Sequence, residues 1–247
     1  MKVIKYKKRK NGLYEVELDN KETLFLYEDT ILNNDILIKG ISNLDKVIEE
    51  NERYEAYFRA LKIIKARLKS KKELSKKLEE LNFKRENIDW AINKLETQGY
   101  ISDKGYAASY LNDKLITTSY GPYKIVSELK KKGIPEEIIN ETISDFSSEI
   151  QITKIDKVIE RIIKSNRTRS GVMLKKKILM DLINLGYDKE ICMREISKYD
   201  ITTDDSILKK EYDKLYKKLS KKYSGYELEL MLKKKLYEKG FNTSEIN

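Results

Sequence analysis

The spacing of apolar residues becomes helical from about residue 42 onward. Four long segments carry apolar residues at intervals of three or four positions, which is the spacing of one face of an α-helix. These residues are Tyr57, Leu61, Ile64 and Leu68 in the first segment, Ala107, Leu111 and Leu115 in the second, Ile155, Val158, Ile159 and Ile162 in the third, and Leu208, Tyr212, Leu215 and Leu219 in the fourth. We therefore predict four long amphipathic helices.

Each long helix is followed by a second helical segment with a repeated ending. A leucine is followed four residues later by glycine or asparagine, and a large apolar residue comes next. These apolar residues stand 51, 53 and 54 positions apart, and they are Phe83, Ile134, Tyr187 and Phe241. A left-handed Gly or Asn just past a helix, with the apolar residue folded back onto the last turn, is a common helix stop. Four stops at one period indicate tandem modules.

The starts of these middle helices also recur. Ser70 with Glu73, and Ser224 with Glu227, have the spacing of a capping box. Gly121-Pro122 and Ser170 occupy the corresponding positions in the second and third copies. A third helix is predicted after each of the first three stops, from Ile88, Ala91, Ile92 and Leu95, from Ile139, Thr142, Ile143 and Phe146, and from Ile191, Cys192 and Ile196. The fourth copy reaches Asn247 before a third helix can form.

The first 40 residues have a different, strand-like pattern. Residues 3–6, 13–18, 24–27 and 36–38 are short runs rich in β-branched and aromatic side chains, which favour strands. Asn11-Gly12 between the first two runs is a strong hairpin signal. We predict a small β unit of two to four strands.

Together these patterns predict a mainly α protein, with tandem three-helix modules in an elongated array and a small N-terminal β extension. The predicted parts are the extension at 1–44, module 1 at 45–101, module 2 at 102–150, module 3 at 151–200, and a truncated module 4 of two helices at 201–247.

Charge indicates a polyanionic partner, although a second explanation exists. The net charge is +10, and 37% of residues are charged, against roughly 25% in an average protein. Such a balance attracts nucleic acid, acidic lipid surfaces or an acidic protein groove. A lysine-rich proteome would produce the same balance without a polyanionic partner.

Several kinds of chemistry are disfavoured by composition. The chain has no histidine and one cysteine, so neither a histidine-based triad nor an intrachain disulfide can form, and a Cys/His zinc site is not available. Cys192 lies in an apolar helical pattern, and we expect a buried, inert thiol. No Gly-rich phosphate loop, signal peptide or membrane-length apolar run is present. We expect a cytoplasmic, non-enzymatic monomer without cofactors.

Three stretches resemble a known family. They read YISDKGYAASY at 100–110, YGPYKI at 120–125 and ELKKKGI at 128–134. Further matches in the first module are Arg67, Ser70, Glu73, Leu74, Lys77 and Leu78. This order of modules, with its Gly-Pro start and Lys-Gly-Ile stop, resembles the RecX family of regulatory proteins. Asn82 stands where the family has glycine, and Tyr123 stands where a basic residue is common.

The resemblance implies a function. Members of the RecX family bind the filament that the recombinase RecA forms on single-stranded DNA, and they inhibit its ATPase and strand exchange during recombination and repair. Recurring basic residues near the join of first and second helices favour one basic stripe that meets phosphates or acidic residues of the filament. The candidate contacts are Arg59, Lys62, Lys65, Arg67, Tyr120, Tyr123, Lys124, Lys130, Lys131, Lys132, Arg167, Arg169, Lys175 and Lys176.

These residues have two further interpretations. A basic run is by default a solvated helix face, and of the tyrosines we expect Tyr106 or Tyr110 in the core and Tyr120 and Tyr123 exposed. Alternatively, each three-helix unit reads duplex DNA as a helix-turn-helix domain does, without a recombinase partner. The acidic third helices disfavour this alternative, because a recognition helix must approach phosphates.

Overall fold

The structure of the chain is a computed structural model that describes residues 1–242. The described residues form two compact units. One contains residues 1–109 together with 129–139, and the other contains residues 110–128 together with the described residues from 140 onward. The boundary between the two units passes through three helices of the second predicted module, so the units do not coincide with whole modules.

A three-stranded antiparallel sheet begins the chain, as predicted. The strands β1 (Val3–Lys8), β2 (Leu13–Leu18) and β3 (Thr23–Tyr27) pair in the order β1-β2-β3. A short 3-10 turn connects β1 and β2, and Gly12 in that turn has a φ of 72°, which glycine adopts without strain. Two short helices follow, α1 (Glu28–Asn33) and α2 (Ile36–Lys39).

The strand predicted at Ile36, Leu37 and Ile38 is wrong, because these residues form α2. Asp35 has a φ of 49°, which turns the chain back before α2 begins. Ile36 then packs with the sheet residues Val16, Leu18 and Leu26, whereas Ile38 is 87% exposed. Only one side chain of this short helix is buried in the small core. The β-branched residues of the run therefore do not force an extended backbone.

Eleven longer helices follow within the described residues. They are α3 (Leu44–Ala66), α4 (Lys71–Glu79), α5 (Arg85–Thr97), α6 (Asp103–Thr117), α7 (Pro122–Lys131), α8 (Glu136–Ser144), α9 (Ser148–Ser165), α10 (Gly171–Asn184), α11 (Lys189–Ser197), α12 (Asp205–Leu219) and α13 (Gly225–Glu238). We refer to α3–α5, α6–α8, α9–α11 and α12–α13 as modules 1 to 4, and to α4, α7, α10 and α13 as the middle helices. The prediction that module 4 lacks a third helix concerns residues 243–247, which lie outside the described residues.

Apolar faces form the cores that the helical spacing predicts. In module 1, Tyr57, Leu74, Leu78, Ile88 and Leu95 are buried together between α3, α4 and α5. The apolar residues shared by α12 and α13 make a corresponding core in module 4. Cys192 is buried, as predicted, and burial raises the pKa of its thiol to about 11.

Leu68 departs from its prediction. It is exposed and lies beyond the end of α3, because Arg67 is extended with a φ of −161° and closes the helix. The helical spacing of apolar residues in the sequence therefore extends past the point at which α3 ends.

The four predicted helix stops are confirmed. The residues past the middle helices are all left-handed, with φ of 63° at Asn82, 77° at Gly133, 89° at Gly186 and 76° at Gly240. The following amide reaches back to the carbonyl of the predicted leucine in every copy, at 3.1–3.3 Å. This is the hydrogen-bond pattern of a Schellman cap, in which a folded-back apolar residue covers the last turn.

The predicted helix starts are confirmed in part. Ser70 and Glu73 form a reciprocal capping box, and the Ser170 side chain accepts from the backbone amide of Met173. The capping box predicted for Ser224 and Glu227 is wrong, because Ser224 makes no side-chain cap. Gly225, the first residue of α13, has a φ of 55°, so the backbone conformation at the start of α13 differs from that at the start of α4.

A repeated joint links the start of one middle helix to the stop of the next. The Ser70 hydroxyl donates to the Lys132 carbonyl at 2.7 Å, and the Ser170 hydroxyl donates to the Lys239 carbonyl at 2.9 Å. Between them, the Gly121 amide donates to the Leu185 carbonyl at 2.7 Å. The starts of α4, α7 and α10 thus each donate to the carbonyl just before the glycine of the next stop.

Glycine permits the close approach in these joints. A Cβ at Gly133 would lie 2.5 Å from Cδ of Lys72, and one at Gly186 would lie 2.6 Å from Cβ of Lys124. At Gly240 it would lie 2.8 Å from the hydroxyl of Ser170. Each of these three stops therefore needs glycine for two reasons, the left-handed backbone and the contact with the preceding module.

Candidate partner-binding surfaces

Three candidate cations lie along one side of α3. Arg59, Lys62 and Lys65 are exposed at successive helical turns. They line an open groove together with Tyr27, Glu55, Phe58, Leu61, Leu81 and Phe83. Within residues 1–242 none of the three cations makes an ion pair, so their charge is available to an anionic partner.

The floor of this groove is aromatic. The rings of Tyr27 and Phe58 stack with centroids 4.8 Å apart, and both side chains are half-buried. Burial raises the pKa of the Tyr27 hydroxyl above its ordinary value, with a further contribution from Glu55. The surface therefore combines an apolar floor with a cationic rim. We call these lining residues the α3 groove.

Arg67 lies next to this surface but outside α3. Its backbone amide donates to the Ile63 carbonyl and closes the helix, and its side chain is exposed.

The tyrosines at the start of α7 have different environments. Tyr123 is 60% exposed, as predicted, and its hydroxyl is 3.5 Å from Asp188. The prediction of an exposed Tyr120 is wrong, because its side chain is half-buried, and Nζ of Lys124 lies 4.3 Å from its ring centroid, within the range of a cation–π contact. The Tyr187 hydroxyl donates to the carbonyls of Ser119 and Tyr120 at 3.1 and 3.4 Å. Tyr120 and Lys124 thus take part in the joint between modules 2 and 3.

The three consecutive lysines at the end of α7 are also unlike one another. Lys131 is exposed, and Lys130 is exposed with an ion pair to Glu136 at 2.9 Å. Lys132 is half-buried, 2.8 Å from the Glu73 carboxylate, with Nζ 5.7 Å from the centroid of the Tyr106 ring. Burial alone would lower the pKa of Lys132, but hydrogen bonds with Glu73 and Tyr106 raise it. We assign Lys132 to the joint between modules 1 and 2.

Tyr106 supplies one wall of that joint. It is buried, as expected for one of the tyrosines of α6, and burial raises the pKa of its hydroxyl.

The candidates of module 3 lie at the end of α9 and on α10. Arg167 donates through Nη1 to the carbonyls of Lys164 and Asn166, both at 2.8 Å, and so caps the end of α9. Arg169 is exposed in the following loop. Lys175 and Lys176 are exposed on α10, without an ion pair in the described part of the chain.

Two exposed cations on α9 were missed by sequence reasoning. Lys157 and Arg161 line a shallow groove with Lys164 and Arg167. Their spacing of four and three residues along α9 was the available signal. The single basic stripe across all modules remains a prediction.

Other kinds of site find little support in the described residues. Within residues 1–242, no group of three or more carboxylate or thiol side chains is placed to hold a metal ion. No helix there is both long and apolar enough to cross a membrane.

Comparison with known proteins decides the family. The Regulatory protein RecX of Streptococcus gordonii is 32% identical over 256 residues, covering 100% of this chain and 97% of the relative. The chain belongs to the RecX family of regulatory proteins. RecX of Streptococcus agalactiae serotype III is also 32% identical, with the same coverage. A model of the RecX second three-helix domain matches residues 102–143.

Solved RecX structures have the same fold. A crystal structure of regulatory protein RecX, at 26% identity, superposes with a TM-score of 0.71 and covers 80% of this chain and 99% of its own. The crystal structure of RecX from Lactobacillus salivarius, at 28% identity, gives a TM-score of 0.58 over 61% of this chain and 98% of its own. The RecX resemblance and the tandem three-helix fold predicted from sequence are therefore confirmed.

Proposed function

We propose that this RecX-family regulator binds RecA filaments on single-stranded DNA and inhibits their ATPase and strand exchange, in DNA recombination and repair. Membership of a regulatory family over the full chain supports a regulatory role. The observation that carries the proposed contact is the α3 groove, where Arg59, Lys62 and Lys65 are exposed and without ion pairs within residues 1–242.

The α3 groove suits an anionic surface with apolar side chains. Its three cations face one carboxylate, Glu55, so the lining is net positive. Phe58, Leu61 and Phe83 offer half-buried apolar surface beside the cations. Charge complementarity of this kind mainly accelerates association and fixes orientation. Repeated weak contacts along tandem modules then add through effective concentration.

Helix-turn-helix recognition of duplex DNA has less support. The third helix of module 2, α8, begins with Glu136 and Glu137, and α5 carries Glu86 and Asp89, all of them exposed. Carboxylates at these places repel phosphates, whereas a recognition helix is expected to carry cations.

The test is ATP hydrolysis by the cognate RecA on single-stranded DNA, with this protein titrated below one chain per RecA. We expect inhibition by the natural chain and its loss in the triple variant Arg59→Glu, Lys62→Glu, Lys65→Glu. The matched control reverses three exposed lysines of α12, Lys210, Lys214 and Lys217, which changes the net charge equally. If both variants lose inhibition of ATP hydrolysis equally, the effect is due to total charge and not to the α3 groove. Tight, salt-sensitive binding to naked DNA without any effect on RecA would instead support the DNA-binding alternative.

A further inference from the structure

Three of the middle helices expose a large apolar or aromatic residue at the same place. The second helical residue is Tyr123 in α7, Val172 in α10 and Tyr226 in α13. These side chains are 60%, 66% and 81% exposed. Single exposed apolar residues are ordinary on a protein surface. Here an exposed apolar residue recurs at the same position of three modules, and all three residues lie within the second compact unit. Folding of the separate cores does not require this pattern.

The same helix face carries a pair of lysines in each case. Lys130-Lys131 and Lys233-Lys234 follow the apolar residue after about two turns, and Lys175-Lys176 follow after about one turn. Lys130 and Lys233 are paired with Glu136 and Glu229. The remaining four lysines make no ion pair within the described part of the chain, and they are Lys131, Lys175, Lys176 and Lys234.

Further apolar residues extend the face in modules 3 and 4. Met180 lies two turns after Val172 and is exposed, and Leu230 lies one turn after Tyr226 and is exposed. As a result α10 and α13 have apolar residues on both their core side and their outer side. On this outer side, Val172 and Met180 of α10 and Tyr226 and Leu230 of α13 are therefore exposed apolar contacts beside charged residues.

Module 1 lacks this feature for a structural reason. The second residue of α4 is Lys72, whose aliphatic chain packs against Gly133 in the joint. This position packs in the joint of module 1, whereas its side chain is exposed in modules 2, 3 and 4, with the Tyr123 hydroxyl 3.5 Å from Asp188.

We propose that these three outer helix faces form one docking surface for a partner protein built of repeated subunits. Each module would offer an apolar contact beside a lysine pair, so the fitting subunit presents an apolar recess flanked by carboxylates. Val172, Met180 and Leu230 have no ring with which to stack on a base, which favours protein over a nucleic acid strand. This inference rests on the proposed function, and it names the surface through which modules 2 to 4 contact the filament.

The test measures the affinity of the full-length fluorescently labelled chain for RecA filaments on single-stranded DNA with a non-hydrolysable ATP analogue. We expect Tyr123→Ser, Val172→Ser and Tyr226→Ser each to weaken binding about 5-fold, as removal of an anchoring contact does. The triple variant is expected to lose about 100-fold, because the losses at three independent contacts multiply. Ile116→Ser is the matched control, since Ile116 is 85% exposed and lies on α6, which is not one of the middle helices.

The outcomes separate the two proposals. Binding by the natural chain with equally tight binding by the triple variant overturns the docking surface and leaves the proposed function standing. No binding by the natural chain overturns both. A loss for Ile116→Ser as large as for the single variants also overturns the surface, because exposed apolar area in general would then explain it. Unchanged circular dichroism and thermal unfolding of the triple variant exclude misfolding as the cause of a loss.

Discussion

The Ser70 hydroxyl donates to the Lys132 carbonyl and also accepts from the Glu73 amide, at 2.7 and 3.2 Å. One buried hydroxyl thus caps α4 and fastens it to the stop of α7. Ser170 repeats both contacts with Met173 and Lys239, at 3.4 and 2.9 Å. The same side-chain chemistry joins modules at two places separated by a hundred residues of sequence.

The first prediction concerns these serines. Ser70→Ala and Ser170→Ala are each expected to lower the free energy of unfolding by about 1–2 kcal/mol, because each removes a helix cap and leaves a carbonyl without its donor. Ser224→Ala is the matched control, since Ser224 begins α13 without a side-chain cap, and a change within about 0.5 kcal/mol is expected. Urea unfolding followed by circular dichroism measures all three. Equal losses at Ser70 and Ser224 would contradict the role of the joint.

Alanine substitutions at two glycines distinguish the cost of a left-handed backbone from the cost of a steric clash. Gly99 and Gly186 have φ of 75° and 89°, but a Cβ would meet nothing within 4 Å at Gly99. Gly99→Ala is therefore expected to cost about 1 kcal/mol for the left-handed backbone alone. Gly186→Ala is expected to cost about 3 kcal/mol, because its methyl group would also displace Lys124. Chemical denaturation of the two variants measures the difference, and equal costs would mean that the joint yields without strain.

The half-buried pair of Glu73 and Lys132 predicts a loss of stability in acid. Burial raises the pKa of Glu73, but hydrogen bonds from Lys132, the Ser70 backbone and Tyr106, together with the charge of Lys132, outweigh burial, and the net pKa is lowered from 4.5. A carboxylate with a lowered pKa in the folded state contributes stability above pH 4.5, and this contribution is lost as the pH falls through the folded value. Part of the acid-induced fall in the free energy of unfolding should therefore be absent in Glu73→Gln. Glu80 is the control site, since its carboxylate is exposed and pairs with Lys77 on the same helix.

Measurement of urea unfolding at several pH values between 7 and about 3 tests this prediction. If Glu73→Gln loses stability in acid as steeply as the natural chain, the pair contributes nothing to the pH dependence. Glu80→Gln is expected to follow the natural chain closely, because an exposed ion pair within one helix contributes little.

Cys192 should be unreactive in the folded protein. Its side chain is buried, and its thiol pKa is raised to about 11 by burial, so little thiolate is present at pH 8. We expect alkylation by iodoacetamide to be slow in buffer and rapid in denaturant. Rapid alkylation of the folded chain, with unchanged circular dichroism, would show that α11 opens locally.

Prediction from sequence succeeded where local chemistry decides the structure. The four helix stops follow from a leucine, a left-handed residue and a folded-back apolar residue, all within six positions. It failed at Ile36, where a β-branched run folds as a turn of helix because only one side chain reaches the core. It failed again at Ser224, whose spacing to Glu227 matches Ser70 and Glu73 while the backbone at Gly225 does not.

Candidate contact residues were harder to predict, because a lysine's environment depends on distant residues. Lys131 and Lys132 are neighbours in one basic run, but only Lys132 meets Glu73, which is 59 positions away in the sequence. The same holds for Lys124, which the sequence places beside a turn and the fold places against Gly186. A run of lysines can be recognised in the sequence. Which of those lysines lie in a joint between modules can be seen only in the tertiary structure.

Because of Asn82, further modules can be added more readily at one end of this series of modules than at the other. It is the one stop among the four that is not glycine, and a module grafted in front of α3 would meet its side chain where every internal joint needs empty space. At the other end, Gly225 has open space around it at the start of α13. A designed fifth module could therefore be appended behind α13 through its own glycine stop, but one placed in front would first require Asn82→Gly.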